Sequence, residues 1–148
     1  MSYNDLRTGR ISCPGQEYFV TAVLAGRHPL FQEFHLARAF IRELAHAERI
    51  GQVQWLAWVV MPDHFHGLLR LESGELSQVM RGIKGRSARQ INRLLENPYP
   101  LWQPGFYDRA LRVEEDRVAI ARYIAANPLR AGLASNLRDY PHWDLVWL

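Results

Sequence analysis

The stretch QVQWLAWVVMPDHFHGLLRLE, residues 52 to 72, decides the fold. Its first half is rich in β-branched and aromatic residues, its second half is again mostly apolar, and Pro62 and Asp63 stand between them. Proline and aspartate favour a tight turn. The pattern therefore predicts a β-hairpin with strands at 52–61 and 64–72, and the second strand carries two histidines, His64 and His66.

Five further elements are predicted around this hairpin from apolar periodicity and turn residues. In chain order they are a strand at 17–25, a helix at 31–50, a helix at 76–97, a strand at 106–113 and a helix at 114–127. Gly51 ends the first helix and Pro128 the last. The buried stripe of the first helix is predicted to contain Phe34, Ala37, Ile41, Leu44 and Ala45. The order β-α-β-β-α-β plus a helix predicts an α+β, ferredoxin-like antiparallel sheet with an added C-terminal helix.

Composition indicates a globular protein with a single domain over residues 1–148. Hydrophobic residues make up 48% of the chain and charged residues 22%, and the net charge of +3 is compatible with a polyanionic partner. Cys13 is the only cysteine, which excludes a disulfide within the chain and suits a reducing compartment. With no apolar run of membrane-spanning length and a polar N-terminus, we expect a cytoplasmic protein without a secretion signal.

His64 and His66 are candidate metal ligands. Side chains alternate along a strand, so both imidazoles project from one face, with their Cα atoms roughly 7 Å apart. Neutral imidazole is a common ligand for zinc, manganese and related ions. The same pattern also fits two ordinary half-exposed strand residues with hydrogen-bond partners, and the spacing alone leaves both interpretations open.

Tyr123 and Asn127, in ARYIAANPLRAG, lie four positions apart on the third predicted helix and therefore share a face. A tyrosine hydroxyl beside a cation can act as a nucleophile, and an amide oxygen can bind Mg²⁺ or Mn²⁺. A tyrosine at the edge of the core and an asparagine at a helix C-terminus would give the same spacing. This pair, too, is compatible with a purely structural role.

Several stretches together resemble a known family. MPDHFHGLL is similar to the histidine–hydrophobe–histidine (HUH) strand of the single-tyrosine transposases, and in particular of the REP-associated tyrosine transposases. PGQEYFVTAVL, IKGRSARQIN, LWQPGFYDRALR and RYIAANPLRAGL are similar to the same branch. The resemblance runs from about residue 14 to about residue 134. It implies a ferredoxin-like nuclease that cuts and rejoins single-stranded DNA at hairpin-forming, REP-like repeats.

The resemblance also implies roles for individual residues. His64 and His66 would bind a divalent cation, Mg²⁺ or Mn²⁺, with Asn127 as the third protein ligand. Tyr123 would be the catalytic nucleophile and would form a 5′-phosphotyrosine intermediate. Asp63 stands where many relatives have asparagine, a difference that we expect to leave the chemistry unaffected. The resemblance leaves both a monomer and a homodimer open.

Basic residues are the candidate DNA contacts. The second predicted helix carries five of them without an acidic residue between residues 81 and 93: Arg81, Lys84, Arg86, Arg89 and Arg93. Arg86, Arg89 and Arg93 fall at helical spacing and predict one stripe facing phosphates. Further candidates are Arg109, Arg112, Arg122 and Arg130. Exposed aromatic residues can stack on unpaired bases, and Trp102, Phe106 and Tyr107 are the candidates for this role.

Two alternatives from other functional classes remain at this point. One is a hairpin DNA- or RNA-binding protein of the same fold whose chemistry is weak or absent. The other is a structural domain in which His64 and His66 hold zinc without nucleic acid, and the basic second helix argues against it. Tyr18 and Tyr107 are rival tyrosines, although their strand positions favour structural roles.

Overall fold

The computed structural model describes residues 12–96, 100–112 and 117–146. Within these residues the chain forms five strands and four α-helices. In chain order they are β1 (Glu17–Val23), α1 (Phe34–Arg49), β2 (Val53–Met61), β3 (His64–Leu71), α2 (Leu76–Leu95), β4 (Tyr107–Ala110), α3 (Arg117–Ala125), α4 (Asn127–Arg130) and β5 (Trp143–Leu145). No helix in these ranges is both long and apolar enough to cross a bilayer.

The strands form one antiparallel sheet in the order β4-β1-β3-β2-β5. Its first four strands have the connectivity predicted for a ferredoxin-like α+β fold, so the predicted fold class is confirmed. The fifth strand was not predicted. It pairs with β2, with Ala57 opposite Leu145, and adds one strand at the edge of the sheet.

Two hydrophobic clusters cover the two faces of the sheet. On one face, α1 and α2 pack against β1, β2 and β3 through fully buried residues such as Phe40, Met80 and Phe65. On the opposite face, α3 packs against the sheet through Ala121, Ile124 and Ala125, in a cluster that includes Leu68 of β3 and Val59 of β2. The sheet therefore separates the α1–α2 layer from α3.

The structure corrects two details of the predicted core. Phe34 and Ala45, both predicted to be buried, are exposed on α1, and Phe40 and Ala47 are buried in the core instead. The strand β2 does not alternate regularly, because the register shifts between Trp55 and Ala57 at a β-bulge. The extra residue lets Trp55 and Val60 face α1 and α2 while Ala57 faces the opposite cluster.

The predicted C-terminal helix is divided into α3 and α4. The sequence predicted that Pro128 ends this helix. Pro128 lies instead in the first turn of α4, where the missing N–H of a proline costs no helical hydrogen bond. Ala126 is the single residue between the two helices. The predicted start of this helix at residues 114–116, and the end of the preceding strand at 113, lie outside the described residues.

Gly67 tests the packing beneath β3. A Cβ atom there would come within 2.7 Å of the Phe65 ring and 2.8 Å of the Trp55 ring, two side chains of the α1–α2 core. We expect Gly67→Ala to lower the free energy of unfolding by about 1–3 kcal/mol, because two buried rings have to shift. Chemical denaturation measures this change.

Gly85→Ala is the matched control for this measurement. Gly85 lies inside α2, and an added Cβ would meet only Arg89 Nη1, at 3.8 Å. We expect it to stabilise the protein by about 0.5–1 kcal/mol, since alanine favours helix. Equal effects of the two substitutions would contradict the proposed crowding at Gly67.

Candidate active site

The two histidines of β3 lie side by side on the sheet face that α3 covers. His64 and His66 are half-buried and alternate with Phe65, which points into the α1–α2 core. Their ring centroids are 4.7 Å apart, and the rings are nearly perpendicular. The strand thus places both imidazoles on one face, as the alternation of its residues predicts.

Each imidazole is held through Nδ1. Nδ1 of His64 lies 2.7 Å from Oδ1 of Asp63, and Nδ1 of His66 lies 2.8 Å from Oγ1 of Thr21. Thr21 reaches His66 because the two residues face each other in the pairing of β1 with β3. In both rings Nε2 is then the nitrogen that remains for a ligand or metal.

The surroundings of the pair favour a neutral His66 and an ionised Asp63. Burial, followed by the positive charges of His64 and Arg130, lowers the pKa of His66 to about 4. Burial alone would raise the pKa of Asp63, but hydrogen bonds from His64 and Arg27 outweigh it and lower that pKa. At neutral pH, His66 is therefore uncharged and able to act as a ligand.

Tyr123 is on α3, on the same side of the sheet as the histidines. Its side chain is 57% exposed. The guanidinium of Arg130 lies over its ring, with Cζ 3.8 Å from the centroid. The same guanidinium acts electrostatically on His66. Arg130 therefore contacts the tyrosine ring directly and acts on His66 only through its charge.

Asn127 takes part in the break between α3 and α4. Its Nδ2 donates to the carbonyl oxygen of Ile124 at 3.0 Å and, more weakly, to that of Tyr123 at 3.4 Å. Ile124 is the helical partner of residue 128, where proline has no N–H to offer, so the amide of Asn127 supplies the missing donor. This arrangement leaves Oδ1 as the atom of the amide that can bind a ligand.

The donor set fits a divalent cation. In the part of the chain that the structure describes, no three His, Cys, Asp or Glu side chains form a cluster of their own. The candidate set is instead two imidazoles and one amide oxygen. These are borderline and hard donors of the kind that Mn²⁺ and Mg²⁺ accept, with coordination positions left for water or substrate.

Comparison with known proteins identifies the family. The family described as "Transposase IS200 like" matches residues 14–127. The chain belongs to the IS200-like transposase family. This range contains β1 to α3 and all four of His64, His66, Tyr123 and Asn127.

Two curated relatives support the resemblance inferred from the sequence. The chain is 33% identical over 87 residues to a REP-associated tyrosine transposase of Escherichia coli (strain K12), covering 57% of this chain and 50% of the relative. It is 26% identical over 98 residues to a putative REP-associated tyrosine transposase of Haemophilus influenzae (strain ATCC 51907 / DSM 11121 / KW20 / Rd), covering 59% and 56%. The matches span about half the length of these relatives.

Two solved structures share the fold. One is a REP-associated tyrosine transposase bound to a REP hairpin, with a TM-score of 0.71 and 27% identity over 90% of this chain and 79% of the other. The second is a putative transposase from Deinococcus radiodurans, with a TM-score of 0.57 and 25% identity over 79% and 94%. The resemblance to REP-associated tyrosine transposases is thus confirmed.

The basic residues of α2 do not form the predicted stripe, because Arg86 is paired within the protein. Nε of Arg86 donates to buried Glu43 of α1 at 2.6 Å, so its charge is neutralised within the protein. Nζ of Lys84 donates to the carbonyl oxygens of Gln103, at 2.9 Å, and Gly105. Both side chains hold structural elements together. Three basic side chains remain exposed on α2, namely Arg81, Arg89 and Arg93.

Arg93 lies in a basic groove that sequence reasoning missed. The groove runs between α1 and α2, has a volume of about 490 Å³, and includes Arg38, Arg42 and Arg93 among its lining residues. Exposed Phe34 lies at its edge. The arginines come from two helices that only the tertiary structure brings together. A second cavity, of about 430 Å³, is lined by Arg81, Lys84 and the 100–106 loop.

The other basic candidates lie near the histidine face or on its edge. Arg122 and Arg130 are exposed on α3 and α4, Arg109 is exposed on β4, and Arg112 follows that strand. Arg109 faces Phe19 in the pairing of β4 with β1, and the Phe19 ring is 5.5 Å from that of His66. Arg109 and Arg130 are therefore the two candidates that these contacts and charges connect to His66.

Of the aromatic candidates for base stacking, two are part of the core. Trp102 is buried and donates its Nε1 to Ser87, and Phe106 is buried as well. Tyr107 is 48% exposed and faces Thr21 in the sheet, beside the histidine pair. Tyr18, the other rival tyrosine, is buried, and its hydroxyl accepts a hydrogen bond from the backbone N–H of Cys13. Tyr107 therefore stays a candidate for a role at the site, whereas Tyr18 is structural.

Proposed function

We propose that this transposase is a metal-dependent single-strand DNA endonuclease and strand transferase. It cuts and rejoins DNA at hairpin-forming, REP-like repeats through a 5′-phosphotyrosine intermediate. The observation that carries this proposal is the arrangement on one sheet face. Two adjacent imidazoles, His64 and His66, are both held through Nδ1, and the exposed Tyr123 is on α3, which packs against the same sheet face.

His64, His66 and Asn127 are the residues that would hold the cation, Mg²⁺ or Mn²⁺. A bound cation supplies positive charge for the non-bridging oxygens of the scissile phosphate, where negative charge grows in the transition state. The ring nitrogens Nε2 and the amide oxygen Oδ1 are the atoms available for this purpose. The low pKa of His66 keeps its imidazole neutral and able to bind the cation at physiological pH.

Tyr123 is the proposed nucleophile. Its phenolic oxygen forms a bond to phosphorus and loses its proton to solvent, while the bond between phosphorus and the 3′-oxygen breaks and that oxygen gains a proton. The products are a 5′-phosphotyrosine and a free 3′-hydroxyl. A 3′-hydroxyl from another DNA end reverses the same exchange, so rejoining needs no external energy source. Arg130, over the ring, supplies a positive charge beside the reacting group.

The α1–α2 groove is the proposed contact for the hairpin stem. Three of its arginines carry positive charge, and double-stranded DNA presents closely spaced phosphates. A related structure holds a REP hairpin, which supports DNA of this shape as the partner. The groove lies across the sheet from Tyr123, so the stem and the single strand to be cut would contact different faces. We also propose that this activity takes place in the cytoplasm.

The proposed site does not require a second subunit. Ala121, Ile124 and Ala125 of α3 pack against the sheet face on which His64 and His66 lie, and the same chain also supplies Tyr123 and Asn127. The proposal therefore holds for a monomer and for a homodimer.

A covalent-trapping assay tests this function. The protein is incubated with end-labelled single-stranded hairpin repeats, with Mn²⁺ or with chelator, and resolved on a denaturing gel. We expect a labelled protein band that requires the metal and yields phosphotyrosine on digestion. Hairpin binding without adduct or cleavage, for several repeats and both metals, would instead favour the alternative of a catalytically weak hairpin-binding protein.

Substitutions in the groove test the stem contact separately from the chemistry. We expect Arg42→Ala and Arg93→Ala each to weaken hairpin binding roughly 3- to 10-fold at low salt. Each should also reduce the slope of log affinity against log salt concentration by about 1, because each removes one phosphate contact. Fluorescence anisotropy over a salt series measures both quantities.

Arg49→Ala is the matched control, because Arg49 is exposed at the end of α1 and does not line the groove. Like the two groove substitutions, it removes one positive charge from the α1–α2 layer. A salt slope reduced equally by Arg49→Ala would show that net charge, and not the groove, determines binding.

A further inference from the structure

Asp63 connects the histidine pair to the loop before α1. One carboxylate oxygen, Oδ1, lies 2.7 Å from Nδ1 of His64, and the other, Oδ2, accepts from Nη1 of Arg27 at 2.9 Å. Asp63 is about a quarter exposed and Arg27 mostly exposed, so the pair sits at the rim of the site. Both oxygens of this one side chain are thus committed, one to a candidate ligand and one to a neighbouring loop.

This contact determines which nitrogen of His64 carries the proton. An ionised carboxylate can only accept hydrogen bonds, so Nδ1 of His64 has to be the donor. In the neutral ring, Nε2 then has the lone pair that a metal requires. The contact of His66 is less decisive, because the hydroxyl of Thr21 can either donate or accept. Of the two imidazoles, only His64 has its tautomer set by its partner.

Arg27 is held in place by its own backbone. Its φ of +52° lies in the left-handed region, which residues other than glycine seldom adopt. The surrounding segment is anchored to the hairpin turn, since Leu24 N–H donates to Asp63 O at 2.9 Å and Phe31 N–H donates to Pro62 O at 3.0 Å. A strained residue kept by such anchoring is characteristic of functional sites. The backbone at Arg27 is therefore anchored to the turn that carries Asp63.

We propose that Asp63, fixed by Arg27, is a positioning residue that holds His64 in the Nδ1–H tautomer and so prepares it to bind the cation. The inference rests on the metal site of the proposed function. It differs from the expectation that aspartate at this position leaves the chemistry unaffected, and the measurements below decide between the two. Asparagine could accept the hydrogen bond from His64 through its oxygen, but it would lack the charge that pairs with Arg27.

Two measurements without DNA test this role. The first is the affinity for Mn²⁺, by calorimetry or electron paramagnetic resonance. We expect Asp63→Ala to weaken it about 10- to 100-fold, the range typical of partners that orient metal-ligating histidines, and Asp63→Asn by less than about 10-fold. Arg27→Ala should resemble Asp63→Asn, because it leaves the contact between Asp63 and His64 but removes its support.

The second measurement is the tautomer of His64 in the metal-free protein, from long-range ¹H–¹⁵N spectra. We expect Nδ1–H in the wild type and in Asp63→Asn, and a mixture of tautomers in Asp63→Ala. A residue needed only for folding would not produce this pattern, and the Asp63→Asn variant keeps the test valid if Asp63→Ala folds poorly.

The outcomes distinguish a failure of the role of Asp63 from a failure of the proposed metal-dependent function. Wild-type protein that binds Mn²⁺ together with an Asp63→Ala variant that binds it equally well, or that retains the Nδ1–H tautomer, would overturn the role of Asp63 and leave the proposed function intact. Wild-type protein that shows no Mn²⁺ binding would overturn the metal site and the inference together.

Discussion

Tyr123→Phe is expected to abolish the covalent protein–DNA adduct and to reduce strand cleavage by at least about 10³-fold. The substitution removes only the hydroxyl whose oxygen is proposed to attack phosphorus, and loss of a nucleophile has effects of this size or larger in other enzymes. Single-turnover cleavage of a labelled hairpin in the presence of Mn²⁺ measures the rate. Binding to the hairpin should change little, because the groove between α1 and α2 is untouched.

The fold of this variant should be preserved. Tyr123 is 57% exposed, and phenylalanine keeps the ring on which the guanidinium of Arg130 rests. We therefore expect thermal unfolding close to that of the wild type. A loss of activity with an unchanged melting temperature would assign the effect to chemistry.

Tyr107→Phe is the decisive control. Tyr107 is also exposed, and it faces Thr21, whose hydroxyl contacts His66. It is thus the other accessible tyrosine beside the histidine pair in the described part of the chain. We expect its variant to form the adduct at a rate within a few-fold of the wild type. An adduct that survives Tyr123→Phe and disappears in Tyr107→Phe would reassign the nucleophile.

Local pattern was sufficient to predict four of the five strands and their ferredoxin-like connectivity. The hairpin of β2 and β3 follows from two apolar runs separated by Pro62 and Asp63, and the alternation of β3 places both histidines on one face. The strand β5 was not predicted because it is only three residues long and is stabilised by pairing with β2. Phe34 was wrongly predicted to be buried because helical spacing does not identify the covered face. Helical spacing shows that a residue is on a stripe but not which of two overlapping stripes the sheet covers.

The candidate site, too, was predictable only where its residues lie close together in sequence. Spacing within one element paired His64 with His66 and Tyr123 with Asn127. The contacts that orient them join residues far apart in sequence, such as Thr21 with His66 and Arg27 with Asp63. For the basic residues, spacing predicted a shared surface that the structure does not form. Spacing on α2 grouped three arginines, yet Arg86 of this group turns inward to buried Glu43, a carboxylate on another helix.

Removal of the histidine pair should separate chemistry from binding. We expect His64→Ala/His66→Ala to weaken Mn²⁺ binding by more than about 100-fold, since even the loss of an orienting partner costs 10- to 100-fold. Metal-dependent cleavage should disappear with it. Hairpin affinity in the presence of chelator should stay within a few-fold of the wild type, because the groove lies on the opposite face of the sheet.

His46→Ala is the matched control for this variant, because His46 lies in the last turn of α1 on the far side of the sheet from His66. It should leave metal binding, cleavage and hairpin binding unchanged. Mn²⁺ binding that persists in the double variant would place the cation elsewhere and contradict the assignment of these two ligands. Loss of hairpin binding together with metal binding, in a variant that still unfolds cooperatively, would show that DNA and cation share one face. In that case the α1–α2 groove would no longer be the contact for the stem.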